Sequence, residues 1–230
     1  MKKTKVAIFD IDGTIFRSSL LIELIETMVE EKVLPERVRE IYAKAYKKWS
    51  DRKGSYEDYI GAVVRAYENN IKGVDYRAYK KIAAQVIANH KNRVYRYTRD
   101  LVQDLKQKNY YLLAISNSPK EIVQGFCKKW GFDKFYGRAY EVNKRNKFTG
   151  NPLYVNLISD KAKILRRALE KEDLKLAGSV GVGDSESDIV FLKLVENPIC
   201  FNPNAKLYAR AKKSGWKVVV ERKDVIYEVR

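Results

Sequence analysis

The chain has 230 residues, 45% of them hydrophobic, enough to bury the core of one large domain or of one domain carrying an insertion. Its 46 Lys and Arg against 29 Asp and Glu give +17, a balance that favours anionic partners: nucleic acid, acidic lipid or small phosphorylated molecules. Only Cys127 and Cys200 are present, which excludes a disulfide framework and points to a reducing, cytoplasmic setting.

MKKTKVAIFD opens like a secretory leader, but Asp10 and Asp12 cut the apolar run short of an h-region. No apolar stretch approaches the roughly 20 residues that span a bilayer, so no membrane partner is expected. VAIFD (6–10) is a short continuous apolar run, the pattern of a strand covered on both faces in a parallel sheet. From about residue 18 to residue 90 the pattern is helical. Leu20, Leu21, Leu24, Ile25, Met28 and Val29 recur at helical spacing, with Ser18 or Ser19 as N-cap. Pro35 marks a stop and restart, and Gly54-Ser55 and Gly73 divide the rest of this region into further helices. The tyrosines between 42 and 79 read as packing for these helices rather than as stacking platforms for bases. Residues 17–91 are expected to form an all-helical cap inserted into a core of 1–16 and 92–230.

Beyond residue 91, helix and strand alternate. TRDLVQDLKQKN is an amphipathic helix, YYLLAIS (110–116) a strand and PKEIVQGFCKKW another helix. AYEV and KFTG flank NKRN as a hairpin. A helix begins near Ser159 in SDKAKILRRALEK, and SVGVGD is a strand turning into the helix SESDIVFLKLV. PICF and KVVVE are two further short strands. The alternation predicts an α/β fold with a Rossmann-like parallel sheet.

In such sheets ligands bind outside the carboxyl ends of the strands. Asp10 and Asp12 follow VAIF, Ser116 and Asn117 follow LLAI, Asp184 follows GVG, and Asp188 lies four residues on. Lys161 sits near a helix start. Carboxylates without histidine, beside a hydroxyl and an ammonium, make a hard oxygen-rich set that suits magnesium. Asp10 and Asp12 are two apart, so a strand would point both to one side, where unshielded carboxylates perturb each other; a divalent cation relieves the conflict. Each residue also has a plainer reading: a turn acid for Asp10, a helix-dipole acid for Asp188, solvation for Lys161 or Lys163. In SNSPKE the plainer reading is a helix cap, with Ser118 capping while Ser116 faces the ligand. Thr14 reads as a turn residue, and His90, alone in every motif, as structural or surface.

Taken in order, DIDGT (10–14), SNS (116–118), Lys161 and GDSESD (183–188) resemble the four motifs of the haloacid dehalogenase (HAD) superfamily. KAKILRRALE before GVGDSESDI, then NPICFNPNAKLYARAKKSGW, is similar to the tail of its phosphoserine-phosphatase-like branch, subfamily IB. The resemblance covers essentially the whole chain. An aspartate two places after the first resembles the phosphatases; the dehalogenases lack it. It implies Asp10 as nucleophile and metal ligand, and Asp12 as general acid then base with its carbonyl on the metal. Ser116 and Asn117 would bind the phosphoryl group. Lys161, chosen over Lys163 by alignment of KAKIL, would neutralise charge, and Asp184 and Asp188 would hold the metal. In two cap positions the chain departs from the branch, the glutamate that holds the substrate ammonium and the arginine that grips its carboxylate. The glutamate nine places after the nucleophile, which holds the substrate ammonium there, is Ser19 here, with Glu23 one turn further as a substitute and Arg52 as a grip for a carboxylate.

The expectation is a magnesium-dependent phosphatase acting on a small phosphomonoester through an aspartyl-phosphate, with phosphoserine among the candidates. The alternative is a basic nucleic-acid-binding or terminal-phosphate-processing protein using the same motifs. The bases are spread in pairs (YKKW, KKIA, CKKW, LRRALEK) like solvated helix faces, and no RRM, zinc-finger or OB signature accompanies them, which weighs against nucleic acid.

Overall fold

The computed structural model describes residues 4–229. Its first strand, β1 (Thr4–Phe9), is followed by a run of helices: α1 (Leu20–Glu30), a 3₁₀ turn at Glu36–Val38, α2 (Glu40–Ser50), α3 (Tyr56–Asn70) and α4 (Tyr76–His90). Then come α5 (Arg96–Gln107), β2 (Tyr111–Pro119), α6 (Lys120–Trp130), β3 (Lys134–Val142), β4 (Phe148–Leu153), α7 (Val155–Ile158) and α8 (Lys161–Lys171). The chain closes with β5 (Leu174–Gly183), a 3₁₀ turn at Glu186–Asp188, α9 (Ile189–Leu192), β6 (Asn197–Phe201), α10 (Ala205–Ser214), β7 (Lys217–Arg222) and β8 (Val225–Val229).

The strands form one sheet in the order β4-β3-β2-β1-β5-β6-β7-β8, parallel from β3 to β7 and antiparallel at both edges. The chain leaves β1 toward β2 and β3 on one side and returns to β5 and β6 on the other, which opens a crevice at the β1 end. Period-two alternation assigns the faces of β1. Ala7 and Phe9 join a hydrophobic cluster with α1 to α6, whereas Val6 and Ile8 join a second cluster with α8, α9 and α10. The six positions of α1 that recur at helical spacing are all buried, and Ser19 is its N-cap. Pro35 starts the 3₁₀ turn, and Gly73, at φ +86°, bonds its N–H to the Phe148 carbonyl, tying α3 and α4 to the β3–β4 hairpin. Tyr42, Tyr59, Tyr67 and Tyr79 are buried among the helices.

Several elements differ from the sequence pattern. The strand preceding the hairpin starts at Lys134, because DKFYGR pairs parallel with β2 before AYEV turns antiparallel to β4. Its residues are half-buried on both faces, which erases the alternation. The helix at Lys161 is capped by Asp160 rather than Ser159. No single helix follows Asp184: a 3₁₀ turn and four-residue α9 replace it, since the Asp188 carboxylate folds back onto the Asp184 and Ser185 N–H groups. Helix α10 and the exposed edge strand β8 carry no clear buried pattern in the sequence. Both cysteines are buried and free, and among the described residues no helix is long and apolar enough to cross a membrane.

Candidate active site

Strand β1 ends at Phe9, so Asp10 and Asp12 both lie beyond it. Their placement comes from a tight loop, not from the strand pleat that their spacing suggested. The Asp10 N–H donates to the Val182 carbonyl of β5, and the Ile11 carbonyl accepts from Thr14, Ile15 and Phe16. Gly13, at φ +78°, turns the chain where a side chain could not fit: a Cβ would stand 2.1 Å from Asp184 Oδ2. Thr14 is fully buried and gives its carbonyl to the Thr98 hydroxyl.

The two acids have different surroundings. Asp10 is buried and its Oδ1 accepts from Lys161 Nζ at 2.6 Å. Asp12 accepts from the Leu20 N–H at 2.5 Å, at the positive end of α1, and from the Ser116 and Ser118 hydroxyls at 2.6 and 2.9 Å. Ser116 Oγ also accepts from the Ser118 N–H. Ser118 therefore does not cap α6, which begins after Pro119 without a side-chain cap, and the Ser116 hydroxyl is directed to Asp12 rather than into the open cavity. The reason is that β2 runs on to Pro119, so residues 116 and 118 share one face of an extended chain. Asn117, between them, is exposed and lines the cavity.

Lys161 is the first residue of α8 and is 5% exposed, whereas Lys163 is exposed. Its ammonium also donates to Asp188 Oδ1 at 2.5 Å, and the two carboxylates hold its pKa above the ordinary value although burial opposes this. Asp188 is fully buried, with Oδ2 on the Asp184 and Ser185 N–H groups at 3.0 and 3.1 Å. One oxygen from each of Asp10, Asp184 and Asp188 lies within 4.8 Å of the others. Burial beside other acids pushes Asp10 up to about 7 in spite of Lys161, and raises Asp184 well above its usual range. Three carboxylates around one ammonium leave an excess of negative charge at a poorly hydrated place. That excess, on hard oxygen donors, fits a magnesium ion. The Asp12 carboxylate is turned to the serines and stands outside this oxygen group.

Asp10, Asp12, Lys161 and Asp184 form the floor of a cavity of about 730 Å³, with Asp188 buried behind them, and the far wall comes from α2 and α3. Ser19 lines it, its Oγ accepting from the Leu21 N–H. Glu23 does not line it: its carboxylate lies 2.8 Å from Arg93 and 3.6 Å from His90 at the end of α4, which draws it away and gives His90 a partner. Exposed Arg52 also lines it, at φ +59°. Sequence reasoning missed Asn204. It caps α10, and its amide donates to Glu57 of α3 at 2.6 Å and to Glu186, while its N–H bonds the Asp184 carbonyl at 2.8 Å. An asparagine before a helical run signals a cap; its reach to α3 is invisible in the sequence. Trp49 and Tyr56 were missed as lining residues for a similar reason, since an amphipathic pattern does not say what its half-buried face meets.

Residues 7–193 match the model of the haloacid dehalogenase-like hydrolases. The chain is 32% identical over 127 residues to a histidinol-phosphatase of Neisseria meningitidis serogroup C (strain 8013), covering 53% of this chain and 56% of that protein. It is 20% identical over 203 residues to a phosphoserine phosphatase of Archaeoglobus fulgidus, covering 87% and 53%. The chain thus spans about half the length of both. Among solved structures, a protein of unknown function from Bordetella pertussis Tohama I superposes with a TM-score of 0.72 at 15% identity, over 94% of this chain and 98% of that one. A phospho-aspartyl intermediate analogue of phosphoserine phosphatase superposes at 0.62 with 23% identity, over 97% and 96%. At these identities the likeness is one of fold.

Proposed function

Because the chain belongs to the haloacid dehalogenase-like hydrolases, we propose that it is a magnesium-dependent phosphatase that hydrolyses a small-molecule phosphomonoester through an aspartyl-phosphate. The observation that carries this reading is the group of Asp10, Asp184 and Asp188, with Lys161 bridging Asp10 and Asp188, where Asp10, Asp184 and Lys161 line the floor of a cavity of small-molecule size. Asp10, Asp184 and Asp188 would hold the magnesium, directly or through water, and the ion when bound supplies charge neutralisation and polarisation at the phosphoryl oxygens.

The chain's own groups have separate tasks. Asp10 has one oxygen on Lys161 and uses the other to form a bond to phosphorus as the ester oxygen–phosphorus bond breaks. Asp12, fixed by the Leu20 N–H and two serine hydroxyls, gives a proton to the departing alkoxide and takes one from the water that opens the aspartyl-phosphate. Ser116 and Ser118 keep Asp12 oriented, and Asn117 faces the phosphoryl group from the cavity side. Helices α1 to α4, within residues 17–91, act as a cap that keeps bulk water out during transfer. The charge of +17 speeds encounter with anionic substrates, an effect that fades with salt. The free buried cysteines fit a cytoplasmic setting. No observation favours the nucleic-acid reading, because a cavity roofed by α2 and α3 suits a small ligand better than a polymer end.

The test is phosphate release from a panel of phosphomonoesters. Asp10→Asn is expected to lower magnesium-dependent turnover by at least about 10³-fold with the far-UV spectrum unchanged. Full turnover by this variant would remove Asp10 as nucleophile.

A further inference from the structure

The far wall of the cavity says what the released alcohol is like. Tyr56, Ile60 and Val64 follow one another at four-residue spacing along α3, so a single stripe of that helix faces the cavity, and Trp49 of α2 extends it. The wall is rigid. The Trp49 indole stacks on Tyr59, centroids 5.5 Å apart and planes within 16°, and meets the edge of Tyr56 at 5.4 Å. All four wall residues are half-buried, and the cavity surface as a whole is mostly apolar.

A zwitterionic alcohol such as serine would need a free carboxylate on this wall to receive its ammonium. The acids of the cavity lining nearest this wall, Glu57 and Glu186, flank the Asn204 amide to one side of the stripe, and Glu23 is paired with Arg93 and His90 outside the cavity, so the stripe itself carries no acid. A charged ammonium placed on the apolar stripe would lose hydration without a compensating partner. The volume of about 730 Å³ also exceeds what a phosphoryl group on a three-carbon alcohol fills.

We propose that the physiological substrate is the phosphate ester of a bulky apolar alcohol, aromatic or extended aliphatic, seated on Trp49, Tyr56, Ile60 and Val64. The inference rests on the phosphatase reading above and deepens it. Three esters test it in the presence of magnesium: 2-phenylethyl phosphate, ethyl phosphate and O-phosphoserine. The first two release alkoxides of similar basicity, and serine's is a slightly better leaving group, so a preference for the first cannot come from chemistry. Its kcat/KM is expected to exceed both others by at least about tenfold. Trp49→Ala and, as a variant that leaves the aromatic cluster in place, Ile60→Ala should each shrink the phenylethyl-to-ethyl ratio by a factor of about three or more. Calorimetry with the unreactive 3-phenylpropylphosphonate and propylphosphonate reads the same preference without turnover.

Equal kcat/KM values, or a preference for O-phosphoserine, overturn the inference and leave the phosphatase reading standing. Preferential binding of the phenylpropyl compound without phosphate release from any ester supports the wall and overturns the phosphatase reading. Neither turnover nor preferential binding overturns both.

Discussion

Replacing Lys161 by methionine keeps the aliphatic length and removes the charge together with the two hydrogen bonds it donates. In the folded protein that ammonium is 5% exposed and lies 2.6 Å from Asp10 and 2.5 Å from Asp188. Removing one partner from a buried ion pair destabilises by roughly 3–5 kcal/mol, because the other charge is left uncompensated. Here two carboxylates lose their partner, but Asp10 borders a cavity open to water, so we take the lower end, about 3 kcal/mol. For a chain of this size that lowers the melting temperature by roughly 6–12 °C. The assay is a thermal melt of both proteins in chelator at pH 7.5, repeated at pH 5.5 and with magnesium at pH 7.5. Protonation of the stranded acids at the lower pH should narrow the gap, and so should a divalent cation. A gap below about 2 °C at pH 7.5, or one that does not change with pH, would refute the reasoning, since lost packing has no reason to titrate.

The metal-free wild type should itself lose stability as pH rises. Asp10 takes a proton at about 7 in the folded chain against 3.8 ordinarily, so between those values the folded state holds more protons than the unfolded one and each step upward in pH favours unfolding. Asp184 acts in the same direction. The Asp10 contribution is at most roughly 4 kcal/mol between pH 4 and pH 7, and saturating magnesium should flatten the slope; a melting temperature that rises across this window in chelator would count against uncompensated acids. Gly13→Ala would drive a methyl group into Asp184 Oδ2, 2.1 Å away, at a backbone conformation (φ +78°) that alanine disfavours. Magnesium affinity by calorimetry should weaken by about 10–100-fold, and an unchanged value would show that Asp184 is not a ligand.

Local rules carried a good part of this molecule. The unbroken apolar run of β1, the helical spacing of the six buried positions of α1 and the polar residues after VAIF, LLAI and GVG were all legible, because pleat, helical turn and strand end are set by near neighbours. Residue type alone also showed a donor set suited to a hard cation, since oxygen donors without histidine leave few alternatives. Direction was another matter. The Ser116 and Ser118 hydroxyls meet Asp12 across more than a hundred residues, Glu23 finds Arg93 seventy residues away, and Asn204 reaches Glu57 across 147. At loop and strand ends no period dictates where a side chain points; the nearest opposite charge or donor does, and the packing of distant elements decides which one that is. The amino-acid order by itself therefore determined which groups could do the chemistry, while only the folded chain decided what each one faces and which side chains wall the cavity.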